Sequence, residues 1–142
     1  MNHHHTLEQL AELRLTGMAE AFAHQMTDSV FTSLGFEQRV QMMVEAERAK
    51  RDNQRYQRIL KNAKLKVMAA PEDIDYRSGR GLDKAVMAEL LTCSWITAHR
   101  NVLITGSTGT GKTWIGCALG MQAARQGLTV AYRRTARLLE EM

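Results

Sequence analysis

The chain has 142 residues, enough for one typical domain or two small ones. Hydrophobic residues make up 44 % of it and proline occurs once, which is typical of a helix-rich globular protein and excludes a disordered one. The formal net charge of +4 permits contact with nucleic acid without establishing it. No apolar run has the length of a membrane span, and the N-terminus lacks the apolar core of a signal peptide, so we expect a cytoplasmic protein with no membrane contact.

The first 70 residues are predicted to form a helical N-terminal domain. Apolar residues recur at helical spacing from Leu7, and a second pattern runs from Phe36 to about Val67 without a proline or glycine. This uninterrupted stretch predicts one long helix.

The second half of the long helix is basic. Arg51, Arg55 and Arg58 stand at i, i+4 and i+7 and therefore share one helix face. Two interpretations remain open: a solvated face, or a surface that contacts DNA phosphates with little sequence preference, since no base-reading motif accompanies it. The candidate DNA-binding residues are Arg51, Arg55, Arg58, Lys61 and Lys64.

Residues 71–82 are predicted to be a linker. Pro71, Gly79 and Gly81 stand there among acidic residues, and such clusters mark turns and loops. A short helix is predicted from Asp83, which opens a second domain at residues 83–142.

A phosphate-binding loop follows a short apolar run at residues 101–105. The sequence GSTGTGKT fits the pattern G-x-x-x-x-G-K-[ST] in full. It predicts binding of ATP, or another nucleoside triphosphate, together with Mg²⁺. The predicted nucleotide-binding residues are Gly106, Ser107, Thr108, Gly109, Thr110, Gly111, Lys112 and Thr113.

Each part of this loop has a chemical task. Gly109 and Gly111 accept unusual φ values and leave room for phosphate oxygens, while backbone N–H groups and the start of the next helix attract the anion. Lys112 would place a positive charge on the outer phosphates, and the Thr113 hydroxyl is the predicted Mg²⁺ ligand.

The residues around the loop predict an α/β core. Residues 101–105 and 128–132 are read as two buried strands of a parallel sheet, with the helix after Lys112 between them. Without further strands we expect their edges to be unpaired, or paired with each other.

Hydrolysis is not predicted from these residues. It requires a second carboxylate for Mg²⁺ and a group that orients water, and no apolar strand ending in an acid follows Thr113. We therefore assign no catalytic residue. Tyr76 and Trp95 are candidates for bordering the nucleotide base, although packing roles are more common for such residues.

Four segments together resemble the N-terminal half of the IstB-type ATPases, the transposition helper proteins of bacterial insertion sequences, which are similar to DnaC-type helicase loaders among the AAA+ ATPases. The resemblance covers nearly the whole chain. It rests on LAELRLTGMAEAF, IDYRSGRGLD, NVLITGSTGTGKTWIGCALG and AARQGLTVAYRRTARLLEEM.

The resemblance implies an ATP-binding helper that assists a transposase on DNA, with self-association of the full-length proteins. It also implies the start of an AAA+ parallel-sheet core in truncated form, because family members continue with the Walker B acids, the sensor and the arginine finger. The alternatives are a DnaC-like helicase loader, a helical interaction module without catalysis and, more weakly, a small-molecule kinase. Arg133, Arg134 and Arg137 are arginine-finger candidates by charge alone.

Overall fold

A computed structural model describes residues 2–77 and 79–142; Met1, and Ser78 inside the predicted linker, lie outside the described residues. The described chain folds into seven α-helices and two short 3₁₀ turns. The helices are α1 (His3–Glu12), α2 (Thr16–Thr27), α3 (Phe36–Ala63), α4 (Lys84–Leu91), α5 (Ser94–Thr97), α6 (Lys112–Arg125) and α7 (Thr135–Glu141), and the 3₁₀ turns are Ser29–Ser33 and Pro71–Asp73.

The chain divides into two compact units, the first ending at Arg55 and the second beginning at Tyr56, so that the division falls within α3. The predicted division into residues 1–70, 71–82 and 83–142 remains a prediction.

In the first unit, a carboxylate of α3 holds the beginning of α2. Leu15, which precedes α2, offers no side-chain cap, and Glu47 supplies one instead: its Oε1 accepts hydrogen bonds from the N–H groups of Gly17 (3.1 Å) and Met18 (3.2 Å). Burial alone raises the pKa of Glu47, but the hydrogen bonds from Met18 and Arg51 outweigh it and hold that pKa below its usual value.

Glycine at position 17 lets the two helices approach closely. A Cβ atom there would lie 2.9 Å from both the Ala46 carbonyl oxygen and the Glu47 Cα atom. Further along, the Gln25 side chain donates to the Arg39 carbonyl oxygen (3.0 Å) and accepts from Arg39 Nε (3.2 Å). Because Gly17 faces Glu47 while Gln25 faces Arg39, α2 and α3 run antiparallel.

The second unit is built around α6. Its buried residues include Ile115, Cys117, Ala118 and Leu119, which pack with Ala69, Ile74 and Met87 in one hydrophobic cluster. Asp83 caps α4 by accepting hydrogen bonds from the N–H groups of Ala85 and Val86, so the predicted start of this helix is confirmed.

The predicted parallel-sheet core is wrong. Residues 101–105 and 128–132 belong to no β-ladder anywhere in the described ranges 2–77 and 79–142, so these residues form a helical and not an α/β fold. A β-strand forms only when a second strand pairs with it through backbone hydrogen bonds. The apolar pattern of residues 101–105 and 128–132 does not determine whether such a partner strand is present. Leu103 is 89 % exposed, whereas a buried parallel strand has both faces covered.

Residues 128–132 nevertheless contact the end of α3 through Tyr132. The N–H group of Tyr132 donates a hydrogen bond of 2.8 Å to the carbonyl oxygen of Ala63, the last residue of α3. The segment is therefore attached to a helix end and not to a sheet. Among the described residues, no helix is both long and apolar enough to cross a membrane.

Candidate nucleotide-binding site

The predicted phosphate-binding loop leads directly into α6. The helix begins at Lys112, as the motif predicts, after Gly111 with φ +95°. Gly109 has φ +81°, and beyond its two chain neighbours no atom lies within 4 Å of the position that a Cβ would take there. Positive φ angles at these two positions require glycine, and the missing side chain leaves the concave side of the loop open.

Lys112 folds back over its own loop. Its Nζ donates hydrogen bonds to the carbonyl oxygens of Gly106 (2.5 Å) and Ser107 (2.8 Å). The same Ser107 oxygen accepts from the Thr110 hydroxyl (2.7 Å). The ammonium group is thus held beside the loop, where an anion could exchange for these neutral carbonyl partners.

A cavity of about 510 Å³ opens at the loop, a volume within the range of small-molecule sites. Five of the eight predicted residues line it: Thr108, Gly109, Gly111, Lys112 and Thr113. Gly106, Ser107 and Thr110 do not line it; they take part in the hydrogen bonds within the loop.

Three further residues, none of them part of the motif, line this cavity. Lys66 and Val67 come from the segment after α3, and Trp114 follows the motif on the first turn of α6. Nothing in the sequence relates Lys66 to a loop some 40 residues later, although Trp114 could have been proposed from its position next to Thr113. Lys66 adds a second ammonium group to the cavity.

The two predicted base-bordering aromatics are placed elsewhere. Tyr76 packs against the hydrophobic cluster with Lys84 Nζ 5.8 Å from its ring centre. The indole N–H of Trp95 donates to the Leu90 carbonyl oxygen at 3.0 Å. Neither residue lines the cavity at the loop, whereas Trp114 does.

Arg80 connects the predicted linker with the loop. Its Nη2 donates to the Thr110 carbonyl oxygen (3.1 Å) and its Nη1 donates to the Asp75 carbonyl oxygen (3.1 Å). A Cβ atom on Gly111 would lie only 2.9 Å from Arg80 Nη2. The Arg80 guanidinium, which lies outside the motif, therefore packs directly against the loop at Thr110 and Gly111.

The candidate DNA-binding residues of α3 are all exposed. Arg51 is already paired, because its Nε lies 3.0 Å from Glu47 Oε2. Lys64 stands just beyond the end of α3 in a left-handed conformation, with φ +51°.

Within residues 2–77 and 79–142, no three His, Cys, Asp or Glu side chains lie together as a metal site would require. The predicted Mg²⁺ ligand, Thr113, is exposed on the first turn of α6 and lines the cavity. Its role as a Mg²⁺ ligand stays a prediction.

Comparison with known proteins assigns the chain to one family, and the relatives carry similar names. The model of a family described as IstB-like ATP binding protein matches residues 8–142. The chain is 49 % identical over 139 residues to a protein of insertion sequence IS1162 from Pseudomonas fluorescens that is named as ATP-binding; the match covers 97 % of this chain and 60 % of the relative.

Two other relatives carry similar names. The insertion-sequence protein y4pL of Sinorhizobium fredii, named as ATP-binding, is 40 % identical over 98 % of this chain and 57 % of its own length. Rv3427c of Mycobacterium tuberculosis, named as an ATP-binding protein in an insertion sequence, is 30 % identical over 94 % of this chain and 53 % of its own length. The chain thus spans a little more than half the length of these relatives.

Proposed function

Because the chain belongs to the IstB-like ATP binding protein family, we propose that it binds ATP and acts as a helper protein in insertion-sequence transposition. The observation that carries the first part is the position of Lys112. Its ammonium group lies against the loop carbonyls at the start of α6, beside a cavity lined by five motif residues.

In this proposal the triphosphate lies in the loop. The backbone N–H groups from about Thr108 to Thr113 and the start of α6 receive the phosphate oxygens. Lys112 exchanges its carbonyl partners for the outer phosphates, and Thr113 supplies one oxygen to the Mg²⁺ ion that accompanies the nucleotide. Lys66, which also lines the cavity, adds positive charge, and Trp114 offers an aromatic surface.

The second part of the proposal concerns DNA and protein partners. We infer that the protein works in the cytoplasm on DNA, through the exposed basic residues of α3, and assists the transposase of the same insertion sequence. Self-association on DNA belongs to the same proposal. The names of the relatives support the insertion-sequence context, and the excess of basic residues supports the DNA contact.

ATP binding is tested with Lys112→Ala and a matched control, Lys84→Ala. Both variants remove one lysine of the second unit, but Lys84 does not line the loop cavity. Binding of a fluorescent ATP analogue with Mg²⁺ is measured by anisotropy, and circular dichroism verifies the fold. We expect Lys112→Ala to lose binding and Lys84→Ala to keep it. Wild-type affinity in Lys112→Ala would refute the assignment of the site.

A further inference from the structure

A second pocket, separate from the nucleotide cavity, lies beside α7. It has a volume of about 240 Å³ and shares no residue with the cavity at the phosphate-binding loop. Its lining residues are Lys64, Tyr132, Arg133, Arg134, Arg137 and Glu141.

The fold assembles this pocket from two distant parts of the chain. The hydrogen bond between the Tyr132 N–H and the Ala63 carbonyl oxygen attaches the segment before α7 to the end of α3. Lys64 follows Ala63 immediately and turns in a left-handed conformation with φ +51°, an arrangement that costs a non-glycine residue about 1 kcal/mol. As a result, Lys64 lines the same pocket as three arginines some 70 residues later.

The pocket carries an excess of positive charge. Four cationic side chains line it, and Glu141 is the one carboxylate among the lining residues. Glu141 is shared by two of the arginines: its Oε2 lies 3.4 Å from Arg133 Nε, and its Oε1 lies 3.8 Å from Arg137 Nε. At these distances both contacts are long for charge-assisted hydrogen bonds, so a stronger acceptor could replace the carboxylate.

We propose that this basic pocket binds a phosphate group of the DNA backbone, and that Glu141 occupies the position of that phosphate when DNA is absent. Guanidinium groups match the geometry of phosphate oxygens, and three arginines with one lysine neutralise a phosphate that enters between them. The proposal rests on the proposed function, in which DNA is a partner.

The position of Lys64 relates the pocket to the basic side of α3. Lys61 and Lys64 are exposed and belong to the same unit as the pocket. Lys64 is both a candidate DNA-binding residue and a residue that lines the pocket. Within the second unit, the DNA-contacting residues of this proposal are therefore Lys61 and Lys64 together with Arg133, Arg134 and Arg137.

The first test removes the carboxylate. Glu141→Gln is compared with Glu140→Gln, an identical charge change at the preceding exposed residue, which does not line the pocket. Binding of a 30-base-pair DNA duplex is followed by fluorescence anisotropy from low to moderate salt. Since an exposed ion pair contributes up to about 1 kcal/mol, we expect Glu141→Gln to tighten DNA binding roughly two- to fivefold more than Glu140→Gln does.

The second test removes a cation. Arg134→Gln is compared with Arg100→Gln, an exposed arginine of the same unit outside the pocket. Loss of one phosphate contact lowers the slope of log affinity against log salt concentration by about 1, so we expect that change in Arg134→Gln and not in Arg100→Gln. ATP binding by Arg134→Gln should equal that of the wild type.

The outcomes separate the two proposals. If the wild type binds DNA but each variant behaves like its matched control, the pocket assignment is overturned while the proposed function stands. If Arg134→Gln changes ATP binding and leaves the DNA slope intact, the pocket serves the nucleotide and the inference is also overturned. If the wild-type protein does not bind the duplex, both the DNA part of the proposed function and this inference fail.

Discussion

Arg80 donates a hydrogen bond from Nη2 to the carbonyl oxygen of Thr110, at 3.1 Å, and so joins the segment before α4 to the phosphate-binding loop. The other end of the same guanidinium donates to the Asp75 carbonyl oxygen. A loop that presents several N–H groups to one anion must keep its backbone conformation fixed. The hydrogen bond from Arg80 limits the movement of that backbone at Thr110.

We expect Arg80→Ala to weaken nucleotide binding about two- to tenfold, the loss that corresponds to one hydrogen bond. The matched control is Arg77→Ala, which removes an exposed arginine of the same segment that pairs with Asp75 and does not touch the loop. Anisotropy of a fluorescent ATP analogue measures the affinity, and Arg80→Lys should recover part of it. Equal affinities of the Arg80→Ala and Arg77→Ala proteins would show that the contact is without influence.

Close packing at Gly17 leads to a prediction about the first unit. Gly17→Ala would bring a Cβ atom to 2.9 Å from backbone atoms of Ala46 and Glu47, so α2 and α3 must move apart. Such overpacking typically costs about 1–3 kcal/mol of unfolding free energy. Chemical denaturation of the variant measures the cost.

Gly35→Ala is the control for this substitution, because no atom lies within 4 Å of the Cβ position at Gly35. Gly35 precedes α3, where alanine in place of glycine costs at most about 1 kcal/mol. If Gly17→Ala is no more destabilising than Gly35→Ala, the two helices do not approach as closely as described.

The Asp75 carboxyl provides a prediction about pH. Its hydrogen bonds with the side chain and then the backbone N–H of Arg77 lower the pKa of Asp75 to about 2, although partial burial acts in the opposite direction. Because the folded-state pKa is depressed, the stabilisation by ionised Asp75 is complete above the ordinary carboxyl pKa and disappears as the pH falls through about 2.

Nuclear magnetic resonance titration of the Asp75 side-chain carboxyl carbon tests this expectation. The midpoint should lie near 2 in the wild type, and Arg77→Gln should raise it towards the ordinary value because the hydrogen bond from the Arg77 side chain, the main cause of the low pKa, is lost. Arg80→Gln should raise it less, since Arg80 contributes only through its charge. A wild-type midpoint near that of a free aspartate would contradict the pairing.

These contacts also show what the sequence could and could not predict. The starts of two helices could be predicted from local sequence. The Asp83 side chain caps the first turn of α4, and α6 begins at Lys112 because the glycines of the loop end there. The parallel sheet was predicted from two apolar runs, but pairing depends on a distant neighbour that local pattern does not contain.

The candidate site also contains residues that the sequence predicts and residues that it does not. The motif residues could be identified because phosphate binding requires glycines, a lysine and a hydroxyl at fixed spacing. Lys66 and Arg80 reach the loop through the packing of the second unit, and no spacing rule in the sequence connects either of them with it. The Glu141 contacts are different, because they are local: Glu141 lies eight residues after Arg133 and at i, i+4 from Arg137, a spacing that a helical pattern does predict.

The exposed arginines of α3 differ in how available their charge is to DNA. Arg51 Nε lies 3.0 Å from Glu47 Oε2, a carboxylate that also caps α2, whereas Arg58 is exposed and follows Glu47 along α3 by about three helical turns. A phosphate must compete with Glu47 for Arg51, so the two arginines should contribute unequally to DNA binding.

We therefore expect Arg58→Gln to lower the salt slope of duplex binding by about 1, and Arg51→Gln to lower it by less. Anisotropy titrations at several salt concentrations give both slopes, with Arg100→Gln as the exposed control. Simultaneous replacement of Arg51, Arg55 and Arg58 by glutamate should abolish DNA retention at low salt. Undiminished retention by that triple variant would remove α3 from the DNA-binding surface, and a larger slope change for Arg51→Gln than for Arg58→Gln would show that Glu47 does not compete with the phosphate.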